Sequence, residues 1–183
     1  MSFSSKIKEE LAEHFATARH CNLAELSAIV RLSGIFADKK NGGCALRVHM
    51  ENFGVARKCF TLLRKTFNIG NDIVVRRNMA TGNCSYFLYA KGEELLAVRN
   101  AMTQSVCCKR AYIRGAFLAA GSVSDPSKSY HFEIVCDKEE QAEHLKDMIN
   151  SFGMDAKIVK RKKMYVVYLK EGSQIVDILN VME

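Results

Sequence analysis

The chain has 183 residues, 48% hydrophobic and 26% charged, with a single proline and a formal net charge of +7. That length buries a substantial core in one domain or two small ones, and that composition excludes collagen-like, low-complexity and disordered classes. Every apolar run is broken by charge short of the roughly 20 residues that cross a bilayer, and Met1–Ala12 lacks the basic start and apolar block of a signal peptide, so a cytoplasmic protein is expected.

The positive charge is uneven: residues up to Ser105 carry 15 Lys and Arg against 9 Asp and Glu, the remainder 12 against 11. A basic balance of this kind fits a polyanionic partner. The seven cysteines are an odd number without a C-x-x-C pair, as in a reduced compartment. Adjacent Cys107 and Cys108 chelate poorly and have no histidine near them in sequence. They are therefore expected to be buried thiols, with no metal and no cofactor.

In chain order, SSKIKEELAEHFA predicts a docked helix, with Ser4 or Ser5 as N-cap and Ile7, Leu11 and Phe15 on one face. LAELSAIVRLSGIFADK predicts a helix closing on Gly34 and then a turn carrying Asp38. ALRVHMEN alternates as a strand over 45–52, and VARKCFTLLRKTFN is an amphipathic helix over 55–68. DIVVRR (72–77) and CSYFLYAKG (84–92) are strands, and EELLAVRNAM (93–102) is a helix. The series then begins again. RAYIRGAFLAAGSVSDPS repeats the helix, its glycine (Gly121) and its turn aspartate (Asp125). YHFEIVCD, EEQAEHLKDMINSF, AKIVKR, MYVVYLKEG and SQIVDILNVM follow in the same order, about 80 to 87 residues after their counterparts.

Such duplication predicts an α+β fold of two pseudo-twofold-related α-β-β-α-β-β-α halves, residues 23–105 and 106–183, behind a helical extension at 1–22. Ala24 and Ala28, with Gly115 and Ala119, stand at i and i+4, and Gly34 and Gly121 end their helices. These six residues are the candidate interface of a central helix pair, because small side chains let backbones approach more closely than the usual 8–10 Å or so. An internal twofold supplies the seam of a homodimer, so a monomer is expected.

LSAIVRLSG (26–34) and IRGAFLAAG (113–121) resemble the signature helices of the LAGLIDADG homing endonucleases. MSFSSKIKEEL, CNLAELSAIVRLSG and CCKRAYIRGAFLAAGSVSDPSKSYHFEI extend the likeness over the whole chain to one group within that fold, the WhiA family of bacterial sporulation regulators. The resemblance implies two LAGLIDADG-like sheets forming a concave saddle on DNA, with an acidic residue just before each final glycine binding the metals that cut. The matching positions are Ser33 and Ala120. Divalent magnesium is held by anionic oxygens, and here one position is neutral while the other has no ligand atom, so no enzyme activity is expected. Asp38 and Asp125 are symmetric substitutes, but DKKNGG and DPSK are turn compositions. Five histidines form no H-E-x-x-H or H-x₃-H pattern, and nucleophile-elbow and nucleotide-binding glycine signatures are absent. The sets Arg47/His49/Glu51 and His131/Glu133/Asp137 fit solvated strand faces.

On the implied saddle, the DNA-binding candidates are Arg47, Arg76 and Arg77, with Lys157, Lys160, Arg161, Lys162 and Lys163 from the second half. Glu133 and Asp137 would repel phosphate on the same face. The resemblance also implies a C-terminal helix-turn-helix domain, the major-groove reader, which residues 1–183 do not include. The expected function is that of a catalytically inactive, homing-endonuclease-like domain of a DNA-binding transcription and sporulation regulator, nucleoid-associated. It would act as scaffold, protein-interaction surface or auxiliary DNA contact. A stand-alone DNA-binding saddle, and a metal-dependent endonuclease with displaced carboxylates, stay open as alternatives.

Overall fold

Two fifteen-residue helices, α2 (Arg19–Ser33) and α5 (Val106–Ala120), pack side by side through the middle of the computed structural model, which describes residues 1–183. They make the most extensive helix–helix contact in the molecule. Ala24, Ala28, Ala111 and Ala116 are buried along it. A Cβ on Gly115 would run into the carbonyl oxygen of Glu25 and stand 3.0 Å from the Cβ of Ala28, so the two backbones touch here with no side chain between them. α2 begins at Arg19, and Arg19–Asn22 therefore belong to the seam helix rather than to an N-terminal extension.

Each seam helix passes straight into a strand. β1 (Gly34–Asp38) and β5 (Gly121–Val123) occupy the segments expected as turns. Gly34 and Gly121 are extended, a conformation open to any residue, so their need for glycine is steric: a Cβ would strike the Val30 carbonyl at Gly34 and Phe117 at Gly121. β2 (Cys44–Met50), β3 (Asn71–Arg77) and β4 (Cys84–Lys91) complete an antiparallel sheet of order β1-β2-β4-β3. β6 (Phe132–Cys136), β7 (Lys157–Arg161) and β8 (Met164–Leu169) complete a second of order β5-β6-β8-β7. The halves are thus two α-β-β-α-β-β-α units of one topology.

α3 (Phe53–Thr61) does not run on as the α-helix expected to residue 68, but widens into a π-helical turn over Leu62–Thr66. Consecutive Leu62 and Leu63 are both fully buried at that wider turn. α4 (Leu95–Arg99) is shorter than expected, while α6 (Glu139–Asn150) and α7 (Gly172–Met182) match their amphipathic segments.

α1 (Phe3–Glu13) is capped by Ser2, whose Oγ accepts the Ser5 N–H at 3.1 Å, in place of the expected Ser4 or Ser5. Phe15 lies beyond its end and is exposed. Leu11 is buried as expected, with Ala12 beside it, and Lys58 Nζ donates to the carbonyls of Leu11 (3.1 Å) and His14 (2.5 Å). The same ammonium pairs with Glu25 in α2, whose other oxygen accepts from Arg114 of α5 at 2.9 Å. Arg114 also donates to the Met182 carbonyl at the end of α7. One buried carboxylate therefore joins both seam helices, α1, α3 and α7, and its two cations offset the cost of burying it.

Candidate nucleic-acid interface

Strand alternation sends Leu46, Val48 and Met50 of β2 into the core and turns Arg47 and His49 outward. The register carries that outer face across the sheet: Arg47 lies opposite Tyr89, His49 opposite Phe87, Phe87 opposite Val74, and Ser85 opposite Arg76. His49 stacks on Phe87 with centroids 4.7 Å apart, and the Arg76 guanidinium lies 4.8 Å from the centroid of that ring. This face is a cationic and aromatic surface with Asp72 as its acid. Arg77 pairs with Cys84 and points to the opposite face, so Arg76 and Arg77 cannot share one surface.

On the second sheet, Lys157, Val159 and Arg161 share the outer face with Glu133 and Tyr168. Glu133 does not stand free there. Arg161 donates to it at 3.3 Å, and His131 Nε2 lies 2.7 Å from the same oxygen. Burial raises the Glu133 pKa, but those two partners outweigh it and hold the carboxyl below its ordinary value. Lys157 lies 3.7 Å from Asp155. Lys160 faces the other way, over the Tyr165 ring, and Lys162 and Lys163 form the exposed β7–β8 tip. The candidate cations thus divide among two outer faces, their undersides and a hairpin tip.

Between the sheets lie the C-terminal ends of α2 and α5. Ser33 Oγ donates to the Ala119 carbonyl at 3.3 Å, across the seam, and Ala120 offers only a methyl group. Two clefts of about 610 and 890 Å³ flank these ends. The larger is lined by Ser33, Glu51 and Asp137, together with Ser4 and Ser5 of α1 and its cap Ser2. Glu51 and Asp137 follow β2 and β6 at corresponding positions and are the two acidic residues that line this cleft with Ser33. Asp38 and Asp125 serve elsewhere. Asp38 accepts from Arg99 at 2.8 Å, and Asp125 accepts from the Ser127 amide and hydroxyl, bonds that hold its carboxyl below the ordinary range.

The WhiA N-terminal LAGLIDADG-like domain family matches residues 19–97, and the WhiA LAGLIDADG-like domain family matches residues 109–183. The chain belongs to the WhiA family. A probable cell division protein WhiA of Lachnoclostridium phytofermentans is 47% identical over the whole chain, and one of Alkaliphilus metalliredigens 41%. The chain spans 65% and 64% of the length of these two relatives. Full-length DUF199/WhiA from Thermatoga maritima superposes on all of the chain, over 62% of its own length, with a TM-score of 0.84 at 21% identity. The homing endonuclease I-DmoI, solved in complex with DNA and Mn, covers 90% of the chain and 97% of itself, with a TM-score of 0.65 at 14% identity. These two likenesses carry the fold. The chain is thus a WhiA-family region on a homing-endonuclease-like fold, and no helix in it is long and apolar enough to cross a membrane.

Three features of this WhiA region escaped the sequence patterns. In the sequence Phe87 and Tyr89 read only as strand residues, and nothing in their spacing marks them as the cation-bearing face. The Glu25–Lys58–Arg114 network joins residues far apart in the chain. His20, Cys21, Cys107 and Cys108 converge at the other end of the helix pair, and here a signal existed: the two pairs stand 87 residues apart, the interval that separates Gly34 from Gly121.

Proposed function

We propose that this chain is the nuclease-derived region of a WhiA-type regulator, kept as a scaffold and auxiliary DNA contact and unable to cut. The observation that carries the proposal is the base of the saddle. Where cleavage needs anionic ligands from both helix ends, Ser33 spends its hydroxyl on a backbone carbonyl and Ala120 has no ligand atom. Specific reading of DNA is assigned to the helix-turn-helix segment that the family resemblance implies, with residues 1–183 contributing phosphate contacts and a surface for protein partners.

The test is incubation of supercoiled DNA with the chain and Mg²⁺ or Mn²⁺. The expected result is no metal-dependent nicking. Nicking that disappears in Glu51→Gln, Asp137→Asn, Asp38→Asn or Asp125→Asn would reinstate a displaced-carboxylate nuclease.

A second reading, a saddle that binds DNA by itself, is favoured by the first sheet. Arg47 and Arg76 are exposed there on the side that also presents Phe87 and Tyr89. Affinity would then fall steeply with salt, by a log–log slope of about −0.9 for each phosphate neutralised. Absence of any complex at low salt removes this reading. A partner protein captured by the chain and retained at high salt would support the interaction-surface role.

A further inference from the structure

The seam helices have two ends, and the metal-type side chains collect at the one remote from the saddle. His20 and Cys21 lie in the first turn of α2, and Cys107 and Cys108 in the first turn of α5. Their ligand atoms, one imidazole nitrogen and three sulfurs, all lie within 4.8 Å of one another, and this is the one grouping of three or more His, Cys, Asp or Glu so disposed. His20 Nδ1 stands 3.1 Å from Cys108 Sγ and 3.5 Å from Cys21 Sγ. Tetrahedral zinc with bonds of about 2.3 Å spaces its sulfurs about 3.8 Å apart, so an inward movement of about 1 Å closes even the widest pair.

We propose that His20, Cys21, Cys107 and Cys108 form a tetrahedral His-Cys₃ site for a zinc-class divalent ion, which ties the N-terminal ends of the two seam helices together. The objection that adjacent cysteines chelate poorly falls away, because each half supplies a pair from corresponding positions and the ion sits between the halves. Three thiolates and an imidazole select zinc or another soft ion over magnesium or calcium. The surroundings suit it. Cys21 and Cys108 are buried in a small cluster with Ala24 and Ala111, while His20 and Cys107 are exposed and leave a path for the ion.

Binding is a proton exchange without electron transfer. Three S–H groups give their protons to solvent, three S–M bonds and one N–M bond form, and the site is left with a net charge of −1. Both helices direct free backbone N–H groups and the positive end of their dipoles toward that charge. Without metal the thiols are uneven: burial, with hydrogen bonds from its neighbours, pushes Cys21 up to about 12, whereas the bond with Ser105 and those with Cys21 and Cys108 hold Cys107 below its ordinary value. A disulfide would use two sulfurs and give the imidazole, 3.1 Å from one of them, no part.

The experiment uses the whole 183-residue chain, kept reduced and stripped of metal, with Co²⁺ as probe and Zn²⁺ as competitor. About one equivalent of Co²⁺ is expected to give the visible bands of a tetrahedral thiolate complex, which Zn²⁺ then bleaches. Zn²⁺ raises the midpoint of thermal unfolding. Cys107→Ser and His20→Ala alter exposed side chains, so both fold. Each is expected to weaken Zn²⁺ by at least about 100-fold, since even outer-shell partners are worth about 10–100-fold. Three results overturn the proposal: no cobalt–thiolate spectrum in the reduced chain, metal binding unchanged in both variants, or a disulfide among these cysteines in protein isolated without added oxidant.

Discussion

Single atoms decide most of what the ends of the seam helices can offer. Ser33 presents a hydroxyl already bonded to the Ala119 carbonyl and Ala120 a methyl group; the residue types were plain once the helices were aligned, the bond was not. Gly115 was readable as a small residue, but its contact was not. A Cβ would enter the Glu25 carbonyl, so Gly115→Ala is expected to cost about 1–3 kcal/mol in denaturant unfolding, the usual range for overpacking. Lys58 was hidden more completely, since the amphipathic pattern of its helix gives a lysine no reason to be 1% exposed. Lys58→Met leaves Glu25 with Arg114 alone and strips the α1 carbonyls of their donor, for an expected loss of about 3–5 kcal/mol. Glu133 supplies a pH dependence. Its folded pKa is depressed by His131 and Arg161 against burial, so its stabilisation is whole above the ordinary glutamate value of about 4.3 and is lost as pH falls through the folded value. Urea midpoints measured down through that window should fall less in Glu133→Gln than in the parent chain.

Strands and helices show why some boundaries were legible and others not. β2, β3, β4, β6 and β7 fall within two residues of their expected bounds and β8 ends three residues early, at Leu169; β2 shows clear alternation, while β3, β7 and β8 are legible as short apolar runs rich in β-branched and aromatic residues. β1 and β5 read as turns in the sequence. GIFAD and GSV are short, lie at sheet edges and open on a glycine, which in isolation marks a helix stop. Strand geometry also divides the two neighbouring arginines. For a chain that binds DNA on the outer faces, Arg47→Ala with Arg76→Ala should lower affinity for any sequence and flatten the salt dependence by about one to two log–log units, while Arg77→Ala on the other face does little. Glu133→Gln should tighten binding, because it releases Arg161 for phosphate. Titration of labelled duplex at several salt concentrations reads all three.

Across the whole molecule, the 87-residue interval that matches Gly34 to Gly121 also matches Ala28 to Gly115, and those two residues meet across the seam. A duplicated chain can place different residues at its own axis, which a pair of identical subunits cannot. Two first halves would set Ala28 against Ala28, adding a methyl where a Cβ on Gly115 already stands too close. Two second halves would set Gly115 against Gly115 and leave a gap where Ala28 now fills the crossing. Neither half can rebuild this seam with a copy of itself. Separating the halves into symmetric dimers would therefore require both crossings to be repacked.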